Sequence, residues 1–398
     1  MKSMKNAAQT VNVETVHENR FRFQLGKIDI RAYTMVAALL VIWIFFDLVD
    51  STFLTARNMS NLFTQMSVTS ILAIGMVLII VAGHIDLSVG SVVGLTGGVA
   101  AILSTWLGCS TPVVILGTLA TGLLIGLLQG SLIAYRGIPA FIVTLGGMLA
   151  FRGVLMGVTK STTIAVSDPA FLMIGSAYFS QGFGLVLGLI AIAVIIYSIW
   201  RKRTVRSKYG FAVSPLASDL LRMLLYSGLV LAFVLTMNAY KGIPFPITFV
   251  IIVALLFSFI ANRTKFGRHV YAIGGNPEAA RLSGIHIQSR VLVLFLFMGL
   301  LSAVAALILT SRLGSATITA GQNYELDAIA AAVIGGTSLM GGSGTIVGAI
   351  IGALIMSSLD NGMSLMGLET FWQYIVKGTI LVIAVWFDIA SRRKNSVR

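Results

Sequence analysis

VLVLFLFMGLLSAVAALILT, residues 291–310, is a run of twenty residues without one formal charge. A helix rises about 1.5 Å per residue, so such a run covers roughly the 30 Å of a bilayer's hydrocarbon. Comparable apolar runs recur at Ala32–Val49, Ile71–Ala82, Val113–Ala134, Gly184–Trp200, Leu221–Met237, Ile247–Ala261 and Thr379–Phe387. None alternates polar with apolar residues as barrel strands do. In lipid the backbone must also satisfy its own hydrogen bonds, so the runs read as helices. The fold class is all-α: a polytopic integral membrane protein of about 10–12 transmembrane helices, with short re-entrant helices where glycine is dense. Composition agrees. Of 398 residues, 57% are hydrophobic and 11% charged, against about 25% charged in soluble domains.

The net charge of +14 raises nucleic acid as a partner, but the placement of the charge argues against it. Four polar segments, Lys2–Arg31, Arg201–Lys208, Arg263–Arg290 and Arg392–Arg398, hold 20 of the 28 basic residues. If all four face the cytoplasm, as the positive-inside rule expects, the number of spans between them is even. Hydropathy places spans near 31–50, 62–82, 88–107, 112–134, 139–158, 182–200, 221–239, 245–262, 290–311, 325–340, 345–360 and 370–388. Both termini then lie inside, and Arg57, Lys160, Lys241 and Arg312 are the only basic residues on the far side. The chain divides into a cytoplasmic tail 1–30, a transmembrane domain 31–390 with a cytoplasmic loop 263–290, and a tail 391–398. The expected setting is a bacterial inner membrane, with lipid as the surrounding partner. Cys109 is the one cysteine, so no intrachain disulfide forms. The first run is of full span length with no A-x-A site before it, which predicts an uncleaved first helix.

Glycines concentrate at Gly83–Gly98, Gly146–Gly153 and Gly335–Gly352. Their ordinary role is close helix packing, and they also permit broken helices. IDLSVGSVVGLTGG at 85–98 is echoed by ELDAIAAAVIGGTSLMGG at 325–342. Each opens on a carboxylate beside leucine and runs through small residues to a glycine pair. Paired, glycine-interrupted segments of this kind point to a translocation pathway at a repeat interface.

The loop RTKFGRHVYAIGGNPEAARLSGIHIQSR, 263–290, contains a short helix specified at both ends. Asn276 is a favoured N-cap, Pro277 fits the first position, Glu278 suits the positive end of the helix dipole, and Gly284 ends it. Two turns do not stand alone, so the helix should rest on the body through Ala279, Ala280, Leu282 and Ile285. A plain solvated connector is the other reading; a rigid docking knob flanked by Arg268 and Arg281 is the functional one.

Here the residues carry a resemblance. GRHVYAIGGNPEAARLSGI, with IDLSVGS at 85–91, PAFIVTLGGMLAFRG at 139–153 and ELDAIAAAVIGGTSLMGG at 325–342, resembles the permease subunits of bacterial ABC sugar importers serving ribose, galactose and xylose. The xylose branch is nearest, through the middle insert at roughly 160–250 and the ending SSLDNGMSLMGLETFWQYIVKG at 357–378. The resemblance covers nearly everything from Thr52 onward. It implies import of a monosaccharide, D-xylose by overall similarity, through a homodimer. An ABC ATP-binding subunit would sit below and a periplasmic sugar-binding protein would dock above. The family's coupling helix would fall on Gly275, Asn276, Pro277, Glu278, Ala280, Arg281, Leu282, Ser283 and Gly284. The family core is drawn with ten spans, and the middle insert is the expected source of the surplus.

Candidate ionisable residues within spans or close to their ends are Asp86, Arg152, Glu325, Asp327, Asp360 and Lys377. A charge at mid-bilayer costs about 3 kcal/mol and normally faces the bundle interior. Asp86, Ser88, Glu325 and Asp327 are the candidates for lining a sugar pathway; capping a following short helix is the plainer role for Asp86 and Asp327. Trp43, Trp106, Trp200, Trp372 and Trp386 fall mostly near span ends, as interfacial anchors do, with sugar stacking the alternative for Trp372 or Tyr374. No histidines have metal-ligand spacing, and neither a metal nor a cofactor is expected. G-x-x-x-x-G-K-[ST], H-E-x-x-H and G-x-S-x-G are absent, so no catalytic residue is assigned and energy comes from elsewhere. A secondary sugar transporter driven by protons or sodium is the alternative, with Asp86, Glu325 and Asp327 as carriers. A passive channel is a third.

Overall fold

The computed structural model of the protein describes residues 30–396; the expected N-terminal tail, with most of the first basic cluster, lies outside the described residues, as do 397–398. The helices are α1 Ile30–Val49, α2 Ala56–Val81, α3 Val89–Ala101 continued by a π-helical turn Ile102–Trp106, α4 Thr111–Ala134 and α5 Ala140–Thr159. They go on as a short α6 Pro169–Ser176, α7 Gln181–Lys208, α8 Leu216–Asn238, α9 Phe245–Arg263, α10 Lys265–Gly275 and α11 Pro277–Leu282. Last come α12 Ile287–Leu313, α13 Tyr324–Ile334, α14 Ile346–Leu365 and α15 Thr370–Ser396. Two-residue strands, β1 Ile164–Ala165 and β2 Ser315–Ala316, pair antiparallel.

Local chemistry sets the ends. Thr55 and Thr345 cap α2 and α14 by accepting from the backbone N–H groups of Asn58 and Gly348, which satisfies donors that an N-terminus leaves orphaned. Prolines occupy the first turns of α4, α6 and α9, where a missing N–H costs nothing.

The central element is α2, whose most apolar stretch is 94% buried inside the protein. It is surrounded by α12, α13, α14 and α9. Its interior face carries serines and threonines as well as Ile71, Leu72, Ile74, Met76 and Ile79. Against the other side of α12 lies α4, and the two backbones meet where each glycine of the Gly122–Gly299 pair occupies the space a partner Cβ would need. Packing of small residues is what holds helices together once lipid has removed the hydrophobic drive. α5, α7 and α8 are peripheral, each only 11% buried along the span.

Nine helices among the described residues are long and apolar enough to cross a membrane, and α1 and α15 carry the shorter apolar stretches Thr34–Val49 and Thr370–Trp386. The expectation of a full span at 325–340 is corrected: α13 stops at Ile334 after 11 residues, and the chain turns through Gly336, Gly341 and Gly342, all at positive φ. The crossing is completed in another way. Arg312 Nη2 donates to Asn61 Oδ1 near the start of α2 (3.1 Å), and Gly342 N donates to Val81 O at its end (2.9 Å). Twenty residues of helix separate Asn61 from Val81, about 30 Å. The chain therefore spans that distance as a non-helical segment, 314–323, that contains β2, followed by a half-length helix. Residues 82–88 are likewise non-helical before α3 begins. The two echoing segments meet: Gly90 of α3 lies against Gly321 O and the Glu325 carboxylate.

Candidate functional site

The capped helix of the basic loop is present as α11. Asn276 Oδ1 accepts from Ala279 N (3.0 Å), and Gly284, at φ 80°, turns the chain so that Ile285 N reaches Ala280 O (3.1 Å), the Schellman arrangement. Glu278 and Arg281 pair at 2.8 Å on the outer face. The surface on which α11 rests is narrower than expected. Only Ala280 is buried and Ile285 half-buried, whereas Ala279 is exposed and Leu282 points outward at 79% exposure. Residues 279 and 282 are three apart and share a face, so an apolar edge is presented to whatever lies beyond the protein.

Beneath α11, the amphipathic α10 was not anticipated as a helix. Thr264 caps it, accepting from Gly267 N (3.2 Å). Gly274 lies so close to Val81 O that no Cβ fits between them. Tyr271 Oη donates to Gly344 O (2.8 Å), and Gly342 N to the same Val81 carbonyl. α10, the end of α2 and the loop leading into α14 are thus one welded platform. His269 sits on it with Nδ1 buried and unpartnered. Burial, then the nearby Arg290, Arg268 and Lys265 charges, hold its pKa below the ordinary histidine value.

The pathway candidates separate into two groups. Asp86, 2% exposed, accepts from Ser88 N (2.8 Å) and Ser88 Oγ (2.7 Å). Gln129 of α4 donates to Ser88 Oγ (2.8 Å). This closed network pins the turn before α3 without capping it: the N-cap is Ser88, and no side chain makes a capping hydrogen bond there. Asp327 is also committed: Lys377 Nζ lies 3.1 Å from it and 2.8 Å from Asp360 Oδ2. That triad ties α13, α14 and α15 together. Each of its members was visible as a charge within a span, but not their partnership; the signal was that a lysine so placed requires a counter-charge.

Glu325 stands apart. It is 8% exposed, its Oε2 has no hydrogen-bond partner, and it borders a cavity of about 360 Å³ together with Arg152. Arg152 Nη1 donates to Ile318 O (2.6 Å) and Ala320 O (3.0 Å), holding the irregular segment in place. Trp372 and Tyr374 are each 49% exposed on α15, an outward setting that suits anchors and not sugar platforms. Trp43 instead donates to Ser358 Oγ (2.9 Å). No group of three metal-ligating side chains occurs among the described residues.

Comparison with known proteins adds the family. Residues 58–385 match the family described as "Branched-chain amino acid transport system / permease component". The xylose transport system permease protein of Haemophilus influenzae is 48% identical over 375 residues, covering 94% of this chain and all of the relative. Its Escherichia coli counterpart is 48% identical over 372 residues, 93% of this chain and 95% of that one. The ribose import permease protein of Escherichia coli is 35% identical over 351 residues, 88% and 91% of the two chains. No solved structure matches. With a whole-length bundle of membrane-spanning helices, broken helices where the echoing segments meet, and these relatives, the chain belongs to that family of transport-system permease components.

Proposed function

We propose that this chain is the membrane subunit of an ATP-driven importer for D-xylose, acting as a homodimer with an ABC ATP-binding subunit and a periplasmic sugar-binding protein. The observation that carries the substrate is 48% identity, over nearly the whole of both chains, to permeases named for xylose; the ribose permease stands further off at 35%. The basic end of the bundle faces the cytoplasm of a bacterial inner membrane, with both termini there, in keeping with the positive-inside rule. The ATP-binding subunit engages α11 and its surroundings, Gly275 to Gly284. Exposed Leu282, Glu278 and Arg281 offer the contact, and the platform under α11 carries its movement into α2 and α14. ATP hydrolysis belongs to the partner. Of the three carboxylates weighed for a proton- or sodium-coupled carrier, two are already engaged, Asp86 by Ser88 and Asp327 by Lys377, which leaves Glu325 alone.

The test is reconstitution in liposomes with the ATP-binding subunit and the binding protein, assaying hydrolysis and uptake against a panel of pentoses and hexoses. D-xylose is expected to stimulate both above the other sugars. A different best sugar would replace xylose in this reading. Uptake that ignores ATP and stops when the proton gradient is collapsed would replace the mechanism.

A further inference from the structure

We propose that Ser91, Arg152, Gln322, Asn323 and Glu325 form a sugar-holding station part-way through the permease, at which the monosaccharide pauses between the two faces of the membrane. The inference rests on the permease reading above and adds the residues that touch the cargo.

Three independent features converge on the place. The first is Arg152 itself, 12 residues into the 20-residue α5 and 7 from its end. A guanidinium at that depth must face protein or a water-filled space. The second is the irregular backbone at 317–323, with Asn323 at φ 66°. Non-helical chain at membrane depth is tolerated only where it is buried or lines such a space. The third is a pair of buried polar atoms with nothing to bond. Glu325 Oε2 and Ser91 Oγ are both unpartnered, and their residues are 8% and 1% exposed. Both residues line the same cavity of about 360 Å³, a volume at the small end of ligand sites. Buried polar groups left unmatched are costly, so an occupant that completes them is expected.

The chemistry of the lining indicates the occupant. Arg152 supplies donors in a fixed fork and Glu325 supplies only acceptors when ionised, while Gln322, Asn323 and Ser91 supply both. Neighbouring hydroxyls on a pyranose each give and take a hydrogen bond, so a polyhydroxyl ring meets such a lining without leaving a group unmatched. A simple anion would be repelled by Glu325, and an apolar ligand would strand five polar side chains. No aromatic ring lines the cavity. A station must release what it holds, and the absence of a stacking platform fits transit more than storage. The first turns of α3 and α13 both converge on it, the placement that broken helices give to transporter sites.

The experiment uses the reconstituted complex with its ATP-binding subunit and D-xylose-loaded binding protein, and reads sugar delivered per ATP hydrolysed. Glu325→Gln removes the charge with little change of shape. Asn323→Gly removes the amide where glycine accepts the backbone conformation without strain. Glu325→Gln is expected to lower xylose uptake about tenfold, the scale of one hydrogen bond to a charged group, and Asn323→Gly about fivefold, the scale of a neutral one, while stimulated ATP hydrolysis stays within about twofold, with Glu325→Asp partly restoring uptake. A merely structural role would lower hydrolysis and uptake together; that result, or uptake unchanged in both variants, overturns the station alone. If the unmodified complex shows no ATP-driven uptake, the permease reading falls and the station with it.

Discussion

Lys377 shows what a single residue does when lipid replaces water around it. Its ammonium bridges Asp327 and Asp360, and all three groups are withdrawn from solvent. Removing one partner of a buried ion pair leaves an uncompensated charge and costs about 3–5 kcal/mol, whereas removing the whole set is often close to neutral. Lys377→Met is therefore expected to lower the denaturation midpoint of the purified protein strongly, and the triple variant with Asp327→Asn and Asp360→Asn to recover most of the loss. Equal midpoints for the single and triple variants would mean that the triad does not hold α13, α14 and α15 together. The cost of each of these charges was readable in the sequence, because hydropathy exposes a charge in an apolar run. Their pairing was not, since the three residues lie on three different helices and nothing local links them. Asp86 was the opposite case. Its partner Ser88 stands two residues away, and local hydrogen bonding of that kind is legible from spacing.

At the scale of elements, legibility followed how local the signal was. α11 was fully written in its caps, from Asn276 to Gly284, because capping depends on side chains within one turn. α10 was missed. KFGRHVYAIGG has no long apolar run, carries three glycines and exists as a helix because Gly274 and Tyr271 are gripped by the end of α2 and by Gly344. α13 was overextended for a related reason: hydropathy rewards small apolar residues whether or not they are helical, and the stop at Ile334 is a backbone event at Gly336, Gly341 and Gly342. The consequence for α11 is sharp, since the apolar face thought to rest on the body is split between inside and outside. Leu282→Glu places a charge on the outward face and is expected to weaken copurification of the ATP-binding subunit about tenfold, the effect of about 1.4 kcal/mol. Membrane insertion and folding should be unaffected, because Leu282 makes no buried contact. Retention of the subunit at wild-type levels would remove α11 from the docking surface.

The whole molecule is unevenly covered, and for the proposed homodimer this asymmetry favours one face as the contact. α7 and α8 pack on one another and expose ordinary lipid-facing residues such as Leu189 and Leu224. The outer face of α5 is different: Gly146, Gly153 and Gly157 have open space where a Cβ would stand, Ala150 falls between them, and all four positions are exposed. Small residues spaced by four and three along one face are what close helix association in a bilayer uses. The polar cavity with Arg152 and Glu325 opens beside the same helix, and lipid is a poor cover for it. In a two-fold dimer the same patch serves both copies, so pairing through α5 would cover the glycine stripe and enclose the cavity in one step. With Cys109→Ser as background, Leu149→Cys beside the stripe is expected to give a dimer band with a short bis-maleimide in native membranes, and Leu224→Cys on α8 to remain monomeric. The reverse pattern would put the dimer on the α7–α8 hairpin and leave the polar cavity beside Arg152 open to lipid, a geometry that the cost of polar groups in the bilayer argues against.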